Sequence, residues 1–165
     1  MLLRALEPED VDILYDIENE RSLWAYSDST IPYSRDALQA YILTCSNDIF
    51  QDKQLRLVAE VDGKAVGLVD LCNFSPLHGR AEVSIALLPD FRCKGLGTEA
   101  LRQISIYSSR FVHLHQLYAY VAVDNLPSLS AFAKAGFEQV AELRDWIRQQ
   151  DGRYVNVVVY QKNLE

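Results

Sequence analysis

The sequence contains few cysteines and no long apolar segment. Its three cysteines, Cys45, Cys72 and Cys93, include no CxxC pair, so we expect neither a disulfide framework nor a zinc site. No stretch approaches the ~20 apolar residues that a membrane-spanning helix needs, and the first residues lack the pattern of a secretory signal peptide. We therefore predict a cytoplasmic protein that holds no metal and does not contact a membrane.

The sequence also lacks an excess of positive charge. Its 16 Lys and Arg residues against 23 Asp and Glu residues give a net charge of −7, and residues 1–52 alone carry eleven acids against three bases. A nucleic-acid partner requires a basic footprint, so DNA and RNA are not expected as partners. A cationic partner is favoured electrostatically, although acidic residues on surface helices also serve simply to keep a protein soluble.

Internal repeats, low-complexity segments and linkers are absent, which predicts a single domain over residues 1–165. The spacing of apolar residues predicts the element order β-α-α-β-β-β-α-β-α-β-β, with a loop over residues 21–33, where periodicity is missing. This order indicates an α/β (α+β) fold, in which a mixed, mostly antiparallel, twisted sheet of about seven strands is flanked by about four helices. One β-α-β step, between residues 81 and 123, should be parallel and right-handed.

The most distinctive local pattern is the loop at residues 92–98, between a strand end and a helix. Its glycines, Gly95 and Gly97, allow several backbone N–H groups to point toward one centre and let an anion approach closely. The helix N-terminus adds partial positive charge, and Arg92 and Lys94 add full charges. The loop therefore suits a pyrophosphate group.

The loop has three other possible interpretations. A P-loop is excluded because no GxxxxGKS/T pattern is present. Residues 95–100 do fit the dinucleotide pattern G-x-G-x-x-A, but no acid occurs between Glu99 and Asp124 to bind a ribose at the usual ~20-residue offset. A single β-α-β step is also too little for a doubly wound dinucleotide domain. A plain glycine turn between strand and helix is the remaining alternative.

Two motifs in the chain resemble those of the GNAT superfamily of acetyltransferases. The loop is similar to the family's pyrophosphate signature, R/Q-x-x-G-x-G/A, at Arg92, Gly95 and Gly97. Residues 125–137 resemble its second motif, in which an asparagine and a helix are followed by Gly-Phe. The predicted element order also matches along essentially the whole chain. The resemblance implies the GNAT fold, with acetyl-CoA as cosubstrate and no metal.

The resemblance further implies where the ligands bind. The pyrophosphate is expected at the backbone amides of residues 93–98 and the pantetheine arm along residues 85–87. The implied cofactor-binding residues are Ile85, Ala86, Leu87, Arg92, Cys93, Lys94, Gly95, Leu96, Gly97, Thr98, Asn125 and Phe132. The implied acceptor-side residues are Trp24, Tyr26, Asp28 and Tyr33.

One position departs from the family pattern. Where the family often has a tyrosine that protonates the leaving thiolate, this chain has Phe132, which is equally suited to a place in the core. An alkyl thiol has a pKa near ~8.5 and leaves readily, whereas an alkylamine near ~10.4 costs roughly 4.6 kcal/mol to deprotonate at neutral pH. We therefore predict that amine deprotonation is the larger task, and that water or another tyrosine protonates the thiolate.

Two carboxylates on the central strands are candidates for the base. Glu82 shares a strand face with Ser84, and Asp70 interrupts the apolar run at residues 66–72. A carboxylate in such a run is either paired with a base, for example Arg80, or functional. Both acids are predicted to help remove the amine proton, directly or through a water.

Five segments resemble bacterial spermidine/spermine acetyltransferases: residues 3–10, 61–64, 67–71, 80–82 and 151–154. This likeness implies direct acetyl transfer in a ternary complex to a primary amine, with a polyamine as first choice, and a homo-oligomer. Acetylation of a protein N-terminus or lysine is the alternative acceptor. A third possibility, suggested by Phe132, is a catalytically weak acyl-CoA-binding regulatory module.

Overall fold

The computed structural model of the protein describes residues 1–27 and 31–164. Within these ranges the strands are β1 (Leu2–Ala5), β2 (Leu55–Val61), β3 (Lys64–Ser75), β4 (Arg80–Leu87), β5 (Gln116–Ala122), β6 (Glu138–Arg148) and β7 (Tyr154–Asn163). The α-helices are α1 (Val11–Glu18), α2 (Arg21–Trp24), α3 (Arg35–Thr44), α4 (Ile49–Asp52), α5 (Leu96–Arg110) and α6 (Leu126–Lys134), with short 3-10 turns at Pro8–Asp10 and Pro89–Phe91. None of the helices in these ranges is long and apolar enough to cross a lipid bilayer.

The predicted fold class is confirmed. The strands form one seven-stranded sheet in the order β1-β2-β3-β4-β5-β7-β6. Neighbouring strands are antiparallel except β4 and β5, which are parallel and connected by α5, as the β-α-β step predicted.

Two short helices were not predicted. The loop assigned to residues 21–33 is wrong over Arg21–Trp24, where α2 forms, and α4 precedes β2. Each has four residues, which is too short for apolar periodicity to be visible in the sequence. α4 begins where Asp48 accepts a hydrogen bond from the backbone N–H of Phe50 at 2.8 Å.

Helices cover both faces of the sheet because successive strand residues point to opposite sides. Val58 and Leu68 pack with α1 and α3 in one cluster, whereas Leu57 and Val69 belong to the larger cluster that contains residues of α5 and α6. We call the side of α1 and α3 the front face and the side of α5 and α6 the back face.

Local sequence determines the helix caps and the hairpin turn between β2 and β3. The Ser34 hydroxyl accepts a hydrogen bond from the N–H of Ala37 at 3.1 Å and begins α3, which is the standard N-cap arrangement. Asp62 and Gly63 both have positive φ, at 51° and 73°, as a two-residue hairpin turn between β2 and β3 requires. Gly136, at φ 85°, follows the end of α6, where a left-handed residue is favoured.

Candidate active site

A gap opens between the two parallel strands at the centre of the sheet. Residues Arg80–Glu82 of β4 pair with Gln116–Tyr118 of β5. Beyond this point β4 pairs with β3 and β5 pairs with β7, so within the described ranges no strand pairs with the β5 side of β4 after Glu82. Backbone polar groups on such an edge need partners, and an extended ligand that contains amides can supply them.

The predicted loop-to-helix junction lies at the end of this gap. Gly95 has φ +80° and immediately precedes α5, and Cys93 also has a positive φ of 58°. The first N–H groups of α5, at Leu96, Gly97 and Thr98, have no carbonyl of their own helix to bond. They lie at the positive end of a 15-residue helix, where an anion is stabilised.

Gly97 lets the first turn of α5 pack closely against β4 and α6. A Cβ at this position would lie 3.2 Å from the Ile85 Cδ1 atom and 3.8 Å from the Ala131 Cβ atom. At Gly95, by contrast, a Cβ would meet no atom within 4 Å, so the requirement there is the positive φ alone. The two glycines of the motif therefore serve different purposes.

Arg92 has partners that the sequence did not indicate. Its Nε donates to the carbonyl of Leu87 at 2.8 Å, and its two terminal nitrogens donate to the carboxylate of Glu20 at 2.7 and 2.5 Å. The hydrogen bond from Arg92 lowers the pKa of Glu20, although partial burial acts in the opposite direction. The sequence predicted that the charge of Arg92 serves the pyrophosphate. In the structure Arg92 instead forms an ion pair with Glu20, the residue before α2. Lys94 is exposed.

Asp70 is paired with a base, but the base is Arg56 rather than Arg80. Arg56 donates from Nε and Nη2 to the two carboxylate oxygens of Asp70 at 2.8 and 2.9 Å, and from Nη1 to Glu18 at 2.5 Å. Burial alone would lower the pKa of Arg56, but the charge and hydrogen bonds of Asp70 outweigh it and hold that pKa above its usual value. The cluster joins α1 to β2 and β3.

Glu82 stands where β4 and β5 separate. It is the register partner of Tyr118 on β5 and of Cys72 on β3. Its Oε2 atom accepts a hydrogen bond from Asn73 Nδ2 at 2.8 Å, and no ion pair of the described residues includes it. Burial, followed by the negative charge of Glu82, raises the pKa of Tyr118, because both disfavour the charged phenolate.

A cavity of about 550 Å³ lies on the front face between α3 and the central strands. Its lining includes Tyr33, Arg56, Asp70 and Ser84, so the Arg56–Asp70 pair and the side of β4 that carries Glu82 meet at this cavity. The cavity thus opens toward the part of β4 that borders the gap.

The predicted acceptor-side residues fall in different places. Tyr33 lines the cavity, and Trp24 donates from its indole nitrogen to the carbonyl of Glu18 at 2.7 Å. Tyr26 is largely exposed; its partial desolvation, followed by the charge of Asp124, raises its pKa. Asp28 lies outside the described residues.

Phe132 and Asn125 both have structural roles in the described contacts. The Phe132 ring is stacked on Tyr160 at 5.6 Å and meets Phe137 edge-on at 5.0 Å. The Asn125 side chain accepts from the N–H of Ser128 at 3.2 Å and caps α6. Contact of either residue with acetyl-CoA stays a prediction.

The family model of the acetyltransferase (GNAT) domain matches residues 1–138 of the chain. The chain therefore belongs to the GNAT family of acetyltransferases, and the resemblance seen in the sequence is confirmed. No group of three or more His, Cys, Asp or Glu side chains that could hold a metal ion occurs in residues 1–27 and 31–164.

The chain is similar to spermidine acetyltransferases of bacteria. The spermidine N(1)-acetyltransferase of Escherichia coli (strain K12) is 29% identical over 144 residues, which are 86% of this chain and 74% of the relative. A crystal structure of spermidine N-acetyltransferase from Vibrio cholerae in complex with CoA and spermine is 26% identical, with a TM-score of 0.85 over 98% of this chain and 94% of that chain. A dodecameric structure of spermidine N-acetyltransferase from Vibrio cholerae is 28% identical, with a TM-score of 0.78 over 98% and 92%.

Proposed function

We propose that this acetyltransferase moves the acetyl group of acetyl-CoA to a primary amine of a polyamine, by direct attack in a ternary complex. The observation that carries the proposal is the position of Glu82. Its carboxylate lies where β4 and β5 part, on the front face and without an ion-pair partner among the described residues.

The gap and the loop at its end suit acetyl-CoA. The amides of residues 93–98 can hold the pyrophosphate, and the unpaired edge of β4 along residues 85–87 can hydrogen-bond to the pantetheine amides. The fit is supported by the first N–H groups of α5, at residues 96–98, which have no carbonyl of their own helix to bond. It is supported further by the similar Vibrio cholerae enzyme, whose structure contains CoA.

Glu82 is the base that this geometry favours. The amine nitrogen forms a bond to the acetyl carbonyl carbon, the carbon–sulfur bond breaks, and the thiolate takes a proton from water or a tyrosine. Glu82 accepts the proton that the amine loses, directly or through one water. Asp70, the second candidate, has both carboxylate oxygens bonded to Arg56, so we assign it the task of holding Arg56.

A polyamine acceptor fits the charge of this region. Residues 1–52 carry the excess of acids, and the cavity is lined by Glu18 and Asp70 with one compensating Arg56. Two carboxylates around one guanidinium leave a net negative site, which attracts a polycation. The relatives named for spermidine support the same substrate class.

Turnover of an amine panel tests the proposal. We expect spermidine to be acetylated faster than peptides with a free N-terminus or lysine, and faster peptide turnover would favour the protein acceptor instead. Glu82→Gln should lower kcat/KM by about 10²–10⁴-fold, the usual contribution of a general base, and should remove the acidic limb of its pH profile. Glu138→Gln, an exposed strand carboxylate outside the site, is the matched control.

We also propose that the protein is a cytoplasmic homo-oligomer. Strand β6 is an edge strand with exposed residues such as Val140, and unpaired edges favour association. The dodecameric relative supports assembly, and three cysteines without disulfides suit a reducing compartment. Analytical ultracentrifugation tests the assembly, and a monomer at micromolar concentration would contradict it.

A further inference from the structure

An aromatic row extends from the gap toward the β6 edge on the front face. Tyr118 and Tyr120 lie on the same side of β5, with ring centroids 5.8 Å apart in an edge-to-face arrangement. Trp146 of β6 is stacked on Tyr120 at 6.1 Å and 22°. Tyr120 and Trp146 are 42% and 57% exposed. Stacked aromatic rings that face solvent indicate a binding surface rather than a core.

The inner end of the row is acidic. Glu82 is the register partner of Tyr118, and Asn73 holds the Glu82 carboxylate at 2.8 Å. Because Tyr120 is two residues further along β5, it lies beside the part of the gap where β4 is no longer paired. The row therefore begins at the proposed base and ends at the edge of the sheet.

No Lys or Arg of the described residues lies over the rings of Tyr118, Tyr120 or Trp146. The cation–ring contacts of the described residues fall on five other rings, those of Tyr15, Phe74, Tyr41, Phe91 and Phe137. Aromatic faces attract alkylammonium groups through the ring quadrupole, and tyrosine and tryptophan supply this contact with few side-chain rotations to restrict.

We propose that Tyr120 and Trp146, with Tyr118 at their inner end, form a subsite that binds a second ammonium group of the acceptor while its primary amine lies at Glu82. This inference rests on the proposed acetyl transfer to an amine. A monoamine has no group for the subsite, so the row selects for acceptors with two or more charges.

Kinetics with two acceptors distinguish a binding role of Trp146 from a purely structural one. Trp146→Leu keeps an apolar side chain but removes the aromatic face, and Trp146→Phe keeps a smaller aromatic face. We expect Trp146→Leu to raise KM for spermidine about tenfold with kcat nearly unchanged, whereas Trp146→Phe should retain most of the wild-type KM. Turnover of n-butylamine should be the same in all three proteins. Phe111→Leu, which changes an exposed ring at the end of α5, is the control.

Each outcome decides one proposal. Equal effects of Leu and Phe, or equal losses for spermidine and n-butylamine, would overturn the subsite. If wild type acetylates neither amine, the proposed function fails. Spermidine affinity measured by calorimetry then still tests the row, because Trp146→Leu should weaken binding about tenfold and unchanged affinity would overturn the subsite.

Discussion

Replacing Phe132 with tyrosine adds one hydroxyl group to the core beside α6. The ring is 3% exposed and lies between Tyr160 and Phe137. A buried hydroxyl without a partner costs about 1–3 kcal/mol in protein mutational data. We therefore expect Phe132→Tyr to lower the free energy of unfolding by about 1–3 kcal/mol. Because amine deprotonation is the larger barrier, kcat should change by less than about tenfold, or 1.4 kcal/mol.

Urea unfolding measures the first quantity, and steady-state turnover of acetyl-CoA with spermidine measures the second. Phe137→Tyr is the matched control, since Phe137 is 4% exposed and packs against the same ring. It should lose a similar amount of stability and leave kcat unchanged, because contact with acetyl-CoA is predicted for position 132 and not for position 137.

Two results would refute this reasoning. An inert wild type that becomes active as Phe132→Tyr would show that protonation of the thiolate limits the reaction, and that the chain is a binding module that lost its acid. Full stability in Phe132→Tyr together with a loss in Phe137→Tyr would show that the new hydroxyl has a partner, so that position 132 faces the gap rather than the core.

Two further predictions concern stability. Gly67→Ala would place a Cβ 2.4 Å from the backbone oxygen of Ala86, so it should lower the free energy of unfolding in urea by roughly 3 kcal/mol. At Gly97 the atom nearest to a new Cβ is a side-chain methyl of Ile85 at 3.2 Å. The free energy of unfolding of Gly97→Ala should therefore stay within about 1 kcal/mol of wild type, because alanine favours the helix. Equal losses in both would contradict the packing described. Glu20→Gln should lose about 1–2 kcal/mol at neutral pH. Since Arg92 lowers the Glu20 pKa in the folded state, this difference should be complete above about pH 5 and should shrink as the pH falls through the folded pKa; a constant difference down to low pH would exclude the ion pair as its cause.

Local patterns were sufficient to predict most of the fold. Ser34, the Asp62-Gly63 pair and Gly136 each determine the backbone within a few residues of themselves, so their caps and turns are readable without tertiary information. The parallel step followed from the order of elements around α5. The single-turn helix α2 could not be predicted, because four residues carry no measurable period.

The charge pairs of the site could not be predicted in the same way. A two-residue turn at residues 62–63 would pair Arg56 with Val69, but a bulge at Ala59 and Glu60 shifts the register by one, so that Arg56 faces Asp70. The sequence contains no visible signal for that bulge. The Arg92–Glu20 pair joins residues 72 positions apart, and only the packing of α1 and α2 against the end of β4 brings them together.

The aromatic row illustrates the same limit. The alternation along β5 shows that Tyr118 and Tyr120 share a face, and this much was available from the sequence. Trp146 joins them because β6 has a register shift between Leu143 and Ile147 and a positive φ of 51° at Asp145. If β6 is assumed to be a regular strand, the sequence gives no reason to place Trp146 beside the tyrosines of β5.

The divergence of β4 and β5 divides the sheet into two sections, of four and three strands, that three residue pairs connect. A pantetheine chain bonded to β4 would act as a short additional strand along this seam, so that part of the native hydrogen bonding is completed by the cosubstrate. Acetyl-CoA at a hundredfold excess over its Kd would add about 2.7 kcal/mol to the free energy of unfolding. The β4 amides along the seam should accordingly exchange with solvent faster than the paired amides of the sheet in the free protein, and should slow most on binding.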